Sequence, residues 1–212
     1  QAIQIVPGRG LQIPDHIKVD GKTVQFFDLR QGTIEFWVKR LRDERITPSK
    51  PVTFVTNGLV KAWSPWKLPV GEWAHVAVEW RPLKRDSNRQ AVHIYVNGLD
   101  RQNYRSTWWE GYSQRPLTFP AGGEWLKKFL TEAPSGAAFA MDELRISSVP
   151  RYTMLDVEFG ARKAFNPSRF DPPTEPLPAD EHTLLLFRFD GTLNGTSSEV
   201  KRPVSGRLLN DE

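Results

Sequence analysis

Apolar and polar residues alternate with a period of two along much of this chain, and that alternation restricts it to β structure. In residues 33–39, Ile34, Phe36 and Val38 fall on one side and Thr33, Glu35, Trp37 and Lys39 on the other, as in a strand with one face in a core. Residues 74–80 repeat the pattern with Val76, Val78 and Trp80 aligned. A third run, 92–96, leads into Asn97-Gly98. A type I′ turn needs positive φ at both central residues, so this pair predicts a tight hairpin whose return strand begins near Leu99. Residues 138–147 form a fourth run, in which strict alternation places Asp142 beside Leu144 and Ile146. The fifth, 183–190, is apolar on both sides from Leu184 to Phe187 and suits a strand covered on both faces. Helical spacing is confined to 124–131, where Trp125 and Phe129 stand one turn apart. Seventeen prolines and fifteen glycines lie mostly between the runs. Strands joined by such connections predict an all-β, two-sheet antiparallel sandwich with few short helices.

The 212 residues suffice for one large β domain, which at this size buries roughly 70% of its unfolded surface. The absence of cysteine removes disulfides, CxxC zinc sites and thiol nucleophiles from consideration. A net charge of +4, spread in short groups such as Lys39-Arg40 and Lys127-Lys128, gives no block of the kind that binds nucleic acid. No apolar run reaches the roughly 18 residues of a membrane helix, so no membrane insertion is expected. A chain that starts at Gln1 with no signal peptide in view is expected to be processed or excised from a longer protein. Residues 165–182 hold Pro167, Pro172, Pro173, Pro176 and Pro178, which favour extended chain unable to join a sheet centre. The residues after them are too few to fold alone. We therefore read 1–212 as one domain, with 165–182 a strap and 183–191 a strand returning to the main sheets.

Four segments, Gly32-Thr-Ile-Glu-Phe-Trp-Val38, Gly71-Glu-Trp-Ala-His-Val-Ala-Val78, Val92-His-Ile-Tyr-Val-Asn-Gly98 and Met141-Asp-Glu-Leu-Arg-Ile-Ser147, occur in this order. Together they resemble the successive strand motifs of laminin-G-like jelly rolls in the concanavalin A-like lectin/glucanase superfamily. Arg151-Tyr152-Thr153, Phe170-Asp-Pro-Pro173 and the segment 180–191 are similar to bacterial and phage versions of that domain. The resemblance implies a jelly roll attached to a larger extracellular or cell-surface protein, binding glycans or proteins. Two departures stand out. Residues 101–137 are long for the connection after the hairpin, and the amino end lacks a clear opening strand. The carboxyl end supplies a matching one, which either takes the place of the first or begins a further repeat; the former is the expectation.

Glycoside hydrolases on this architecture resemble one another in a Glu-x-Asp-x-x-Glu strand, which aligns nucleophile and general acid on one face. The string is absent here. Asp142 and Glu143 are adjacent, so a regular strand points them to opposite faces. A structural role for Asp142, accepting hydrogen bonds from a loop, is the expectation, with a calcium ligand as the sharper alternative. His16, His75, His93 and His182 lack zinc-ligand spacing, and no GxSxG, P-loop or GxGxxG string appears. His75 and His93 fall mid-strand on the side opposite Val76 and Ile94, where hydrogen-bonded imidazoles are expected. Neither catalysis nor a cofactor is therefore anticipated. Ligand binding instead rests on aromatics in loops: Trp63 and Trp66 in one Pro-containing stretch, and Trp108, Trp109 and Tyr112 in the long insertion, flanked by Arg101, Arg105 and Arg115. Such rings stack on sugar faces or pack beneath their own loops. The reading is a non-catalytic carbohydrate- or protein-binding module. A structural assembly domain and a glycan-active enzyme with an unfamiliar site are its alternatives.

Overall fold

The computed structural model describes residues 2–5, 9–14, 16–26, 30–41, 52–56, 61–64, 69–83, 86–106, 117–119, 138–152 and 169–210. The named strands pair antiparallel throughout, and no helix occurs among these residues. The candidate helix at 124–131 lies outside them.

The larger sheet has nine strands. Eight follow the order β10 (Leu99–Ser106), β9 (Asp86–Val96), β8 (Trp73–Leu83), β5 (Gly32–Arg40), β12 (Phe139–Ser147), β13 (Thr183–Phe187), β14 (Asn194–Ser197) and β15 (Val200–Ser205), and the ninth, β1 (Ile3–Ile5), also pairs with β12. The smaller sheet runs β16 (Arg207–Asn210), β2 (Arg9–Ile13), β11 (Leu117–Phe119), β6 (Val52–Thr56) and β7 (Lys61–Ser64). A separate hairpin joins β3 (His16–Val19) to β4 (Lys22–Gln25). Ile34, Phe36, Val38, Val76, Val78 and Trp80 of the larger sheet share one buried cluster with Leu11 and Ile13 of the smaller. The two sheets thus enclose a single core, the architecture of a β-sandwich. Gly32 lets Trp80 fill that core, since a Cβ at position 32 would stand 2.5 Å from the indole.

The alternation in β5 and β8 holds residue for residue. Asn97 and Gly98 carry φ of 49° and 73° between paired Val96 and Leu99, the two-residue turn anticipated from the sequence. Asn97 also closes the end of β8: its Oδ1 accepts from the His75 N–H at 2.9 Å, and its own N–H donates to the His75 carbonyl at 2.8 Å. β13 lies between β12 and β14 with every residue buried.

Alternation fails in β12. Asp142 pairs with Trp37, and the residue that follows it on that face, opposite Glu35, is Arg145 rather than Leu144. One extra residue is accommodated at Glu143, whose φ is 51°, forming a β-bulge. Two consequences follow from the slip. Met141 and Leu144, three apart, both reach the core, and Asp142 is turned away from Leu144 and Ile146, contrary to the alternation reading. The bulge also marks a change of partner: β1 pairs with residues 139–141 of β12, and β13 with 144–147.

The chain ends hold more strands than alternation reveals. β1 to β4 precede Gly32, and β14 to β16 follow Gly191. β1 and β13 divide one edge of β12 between them, so β13 stands beside an opening strand rather than in its place. Residues 169–182 cross the face of the larger sheet away from the core. Their contacts there include Pro178 O with Arg145 Nη1 at 2.8 Å, Leu177 N–H with Glu143 Oε2 at 3.0 Å, and Phe170 N–H with Gly98 O at 2.9 Å.

Candidate functional site

Strand register arranges the outer face of the larger sheet in rows. Thr33, Glu79, His93 and Ser147 form one; Glu35, Ala77, Tyr95 and Arg145 the next; Asp142, Trp37 and His75 a third; and Gln4, Ala140, Lys39 and Trp73 a fourth. Charged groups in the middle of apolar strands require partners, because a lone buried charge is strongly disfavoured.

Glu35 is the hub. Its side chain is fully buried; Oε1 accepts from Arg145 Nε at 2.8 Å and faces Nη2 at 2.6 Å. Oε2 meets His75 Nε2 at 3.1 Å and accepts from the Tyr152 hydroxyl. Burial by itself pushes the Glu35 carboxyl up, but the His75 hydrogen bond and the Arg145 charge outweigh it and hold the group below the ordinary glutamate value. A carboxylate at Oε2 assigns a proton to His75 Nε2; His75 Nδ1 is buried without a hydrogen-bond partner among the described residues. Burial and the negative charge of Glu35 push the Tyr152 phenol well above its ordinary value.

Two stretches, 149–152 and 169–182, cover this hub and are tied down at several points. Glu79 Oε2 accepts the N–H groups of Arg151 and Tyr152 at 2.9 and 2.7 Å, and Thr33 Oγ1 donates to Val149 O at 2.8 Å. Arg151 makes a two-pronged pair with Asp180 at 2.9 and 2.8 Å, a geometry that strengthens such pairs. That hydrogen bonding holds the Asp180 carboxyl well below its usual range. Phe170 and Tyr152 lie over His75 and Tyr95. Glu35 and Glu79 are thus two acids on neighbouring rows, both fully buried and both engaged, and neither faces open solvent as a hydrolytic pair must.

The fourth row is more open. Trp73 is 38% exposed with Lys39 Nζ 4.9 Å from its ring centroid, and half-buried Trp37 stands 5.4 Å from the His75 ring. Asp142 is partly buried and its Oδ1 accepts from the Glu143 N–H at 3.0 Å, a neighbour on its own strand rather than a loop. Burial pushes its carboxyl up. No group of three or more histidine, aspartate or glutamate side chains among the described residues is placed to hold a metal ion.

The aromatic candidates fall elsewhere. Trp63 lies on β7, opposite Thr53, and Arg105 on β10, opposite Ala91; these strands are edges of different sheets. Trp66, Trp108, Trp109 and Tyr112 lie outside the described residues, as do Arg115 and most of the insertion. Alternation places His75 and His93 on the correct face but does not single out Glu35, Glu79 and Arg145 as partners. The available signal is charge in mid-strand at positions that register brings together.

Neither a protein-family model nor a curated protein matches this sequence. Among solved structures, an inferred carbohydrate-binding protein of Bacteroides ovatus is similar, with a TM-score of 0.45 and 13% identity over 97% of this chain. The chain spans 60% of that protein's length. A likeness at this distance carries no argument about function.

Proposed function

We propose that this chain is a non-catalytic carbohydrate-binding module of a larger exported or cell-surface protein, on a jelly roll of the laminin-G-like type. The observation that carries the non-catalytic part is the closure of Glu35, His75 and Glu79 on the outer face. Glu35, His75 and Glu79 are fully buried. Glu35 and His75 are bonded to each other, and Glu79 accepts two backbone N–H groups from the covering residues 151 and 152, so these groups are engaged with the fold rather than presented to a substrate. The binding part is supported by the ordered strand motifs and by the tryptophans at positions 63, 66, 108 and 109, a residue type that suits the apolar faces of sugars.

A glycan array probed with the whole chain tests the reading, with Trp108→Ala and Trp109→Ala as variants and product analysis of each bound glycan. Binding without turnover is the expected result. Turnover of a bound glycan overturns the non-catalytic reading, and absence of binding across the array overturns the carbohydrate reading in favour of an assembly role.

A further inference from the structure

We propose that the open fourth row of the outer face, Trp73 with Lys39 and Gln4, together with Trp37 and Asp142 of the third, is a platform for a neutral saccharide chain. The proposal rests on the carbohydrate-binding reading and assigns it a surface on the outer face of the larger sheet.

Register alone aligns these side chains. Lys39 stands opposite both Trp73 and Ala140, Ala140 stands opposite Gln4, and Trp37 stands opposite Asp142. All share the face of Glu35. The covering stretches reach His75 through the rings of Tyr152 and Phe170, and Trp73 beyond it remains 38% exposed. The same chain buries Trp80 completely, so the exposure of Trp73 is not forced by a shortage of core.

The chemistry of the row suits a sugar. An indole face is electron-rich and attracts either a cation or the weakly positive C–H groups of a pyranose. The Lys39 ammonium, 4.9 Å from the Trp73 centroid, marks that attraction in the free protein and supplies donors for hydroxyl groups when displaced. Asp142 offers acceptors, and exposed Gln4 offers both kinds of group. Ala140 lies between Lys39 and Gln4, and its small side chain keeps the floor low. Trp37 and Trp73 are diagonal neighbours across β5 and β8, about 7–8 Å apart at the backbone, close enough to address one sugar ring or two in sequence. The charges of the platform's own side chains, Lys39 and Asp142, offset each other, which points to a neutral saccharide rather than an acidic one.

The test uses the whole chain in affinity electrophoresis and calorimetry against xylan, mixed-linkage glucan, glucomannan and galactan, with Trp73→Ala and Trp37→Phe as variants. Trp73→Ala is expected to weaken binding about tenfold, the scale of one lost stacking contact, with its melting temperature unchanged. Wild-type binding that persists within about twofold in both Trp73→Ala and Trp37→Phe overturns the platform and leaves the binding reading intact. Failure of the wild type to bind any of the four overturns the platform, and the binding reading falls with it only if the glycan array is also negative. Sedimentation that shows a dimer dissolved by Trp73→Ala overturns the platform in favour of self-association.

Discussion

The rings of Tyr152 and Phe170 lie face to face, 3.8 Å between centroids and 9° from parallel, above the buried His75 ring that each also meets edge-on. The stack holds both covering stretches to the sheet at one point. Phe170→Ala is expected to lower stability by about 3–5 kcal/mol, as for other buried phenylalanines. Urea denaturation measures it, and an unchanged midpoint would show that the stack holds nothing.

Glu35 joins residues 149–152 to the sheet through Tyr152, and removing its charge leaves Arg145 and His75 buried without their anion. Glu35→Gln is expected to cost about 3–5 kcal/mol, the range for breaking a buried pair. The wild-type carboxyl is held below its ordinary value of 4.5, so its contribution is present above that pH and lost as pH falls through the lowered folded value. Denaturation free energies measured at descending pH should fall less steeply in Glu35→Gln than in the wild type; parallel curves would assign the acid sensitivity elsewhere.

Tyr152 gives the opposite limb. Its phenol is pushed above the ordinary value of 10.0, so the neutral form stabilises the fold below that pH and the contribution is lost as pH rises beyond it. Tyr152→Phe is expected to be less stable at neutral pH by about 1.5–3 kcal/mol, the worth of a hydrogen bond to a charged group. Its alkaline decline should be shallower than the wild type's in the same titration.

Gly21 and Gly98 separate backbone strain from close approach. Both have positive φ, 77° and 73°, but a Cβ at Gly21 meets nothing within 4 Å, whereas at Gly98 it would collide with the Phe170 carbonyl. Alanine at Gly21 is expected to cost about 1 kcal/mol, and at Gly98 more than about 2 kcal/mol, because the collision adds to the strain. Thermal melts of the two variants decide it; equal shifts would mean that residues near Phe170 move aside freely.

The parts of the fold legible in the sequence are those governed by alternation. β5, β8 and the Asn97-Gly98 hairpin obey it because one face is core and the pairing is regular. The bulge at Glu143 is hidden, since a rule of two cannot register an inserted residue; apolar Met141 and Leu144 three apart are its trace. β1 and β14 to β16 escape notice because they are short or carry polar residues such as Asn194 and Thr196, whose strand state comes from pairing. Histidines on the outer face follow from alternation, but the network around Glu35 depends on which strands are neighbours, and that ordering is not local information.

The divided edge of β12 sets what must dock before the sheet is complete. β1 can pair with residues 139–141 without the carboxyl-terminal strands, whereas the same edge at residues 144–147 stays open until 183–187 dock. An unpaired edge of apolar strand recruits other chains. A chain in which Leu184 to Phe187 have not yet docked therefore keeps an apolar strand edge open to other chains, and their docking is the event that closes it.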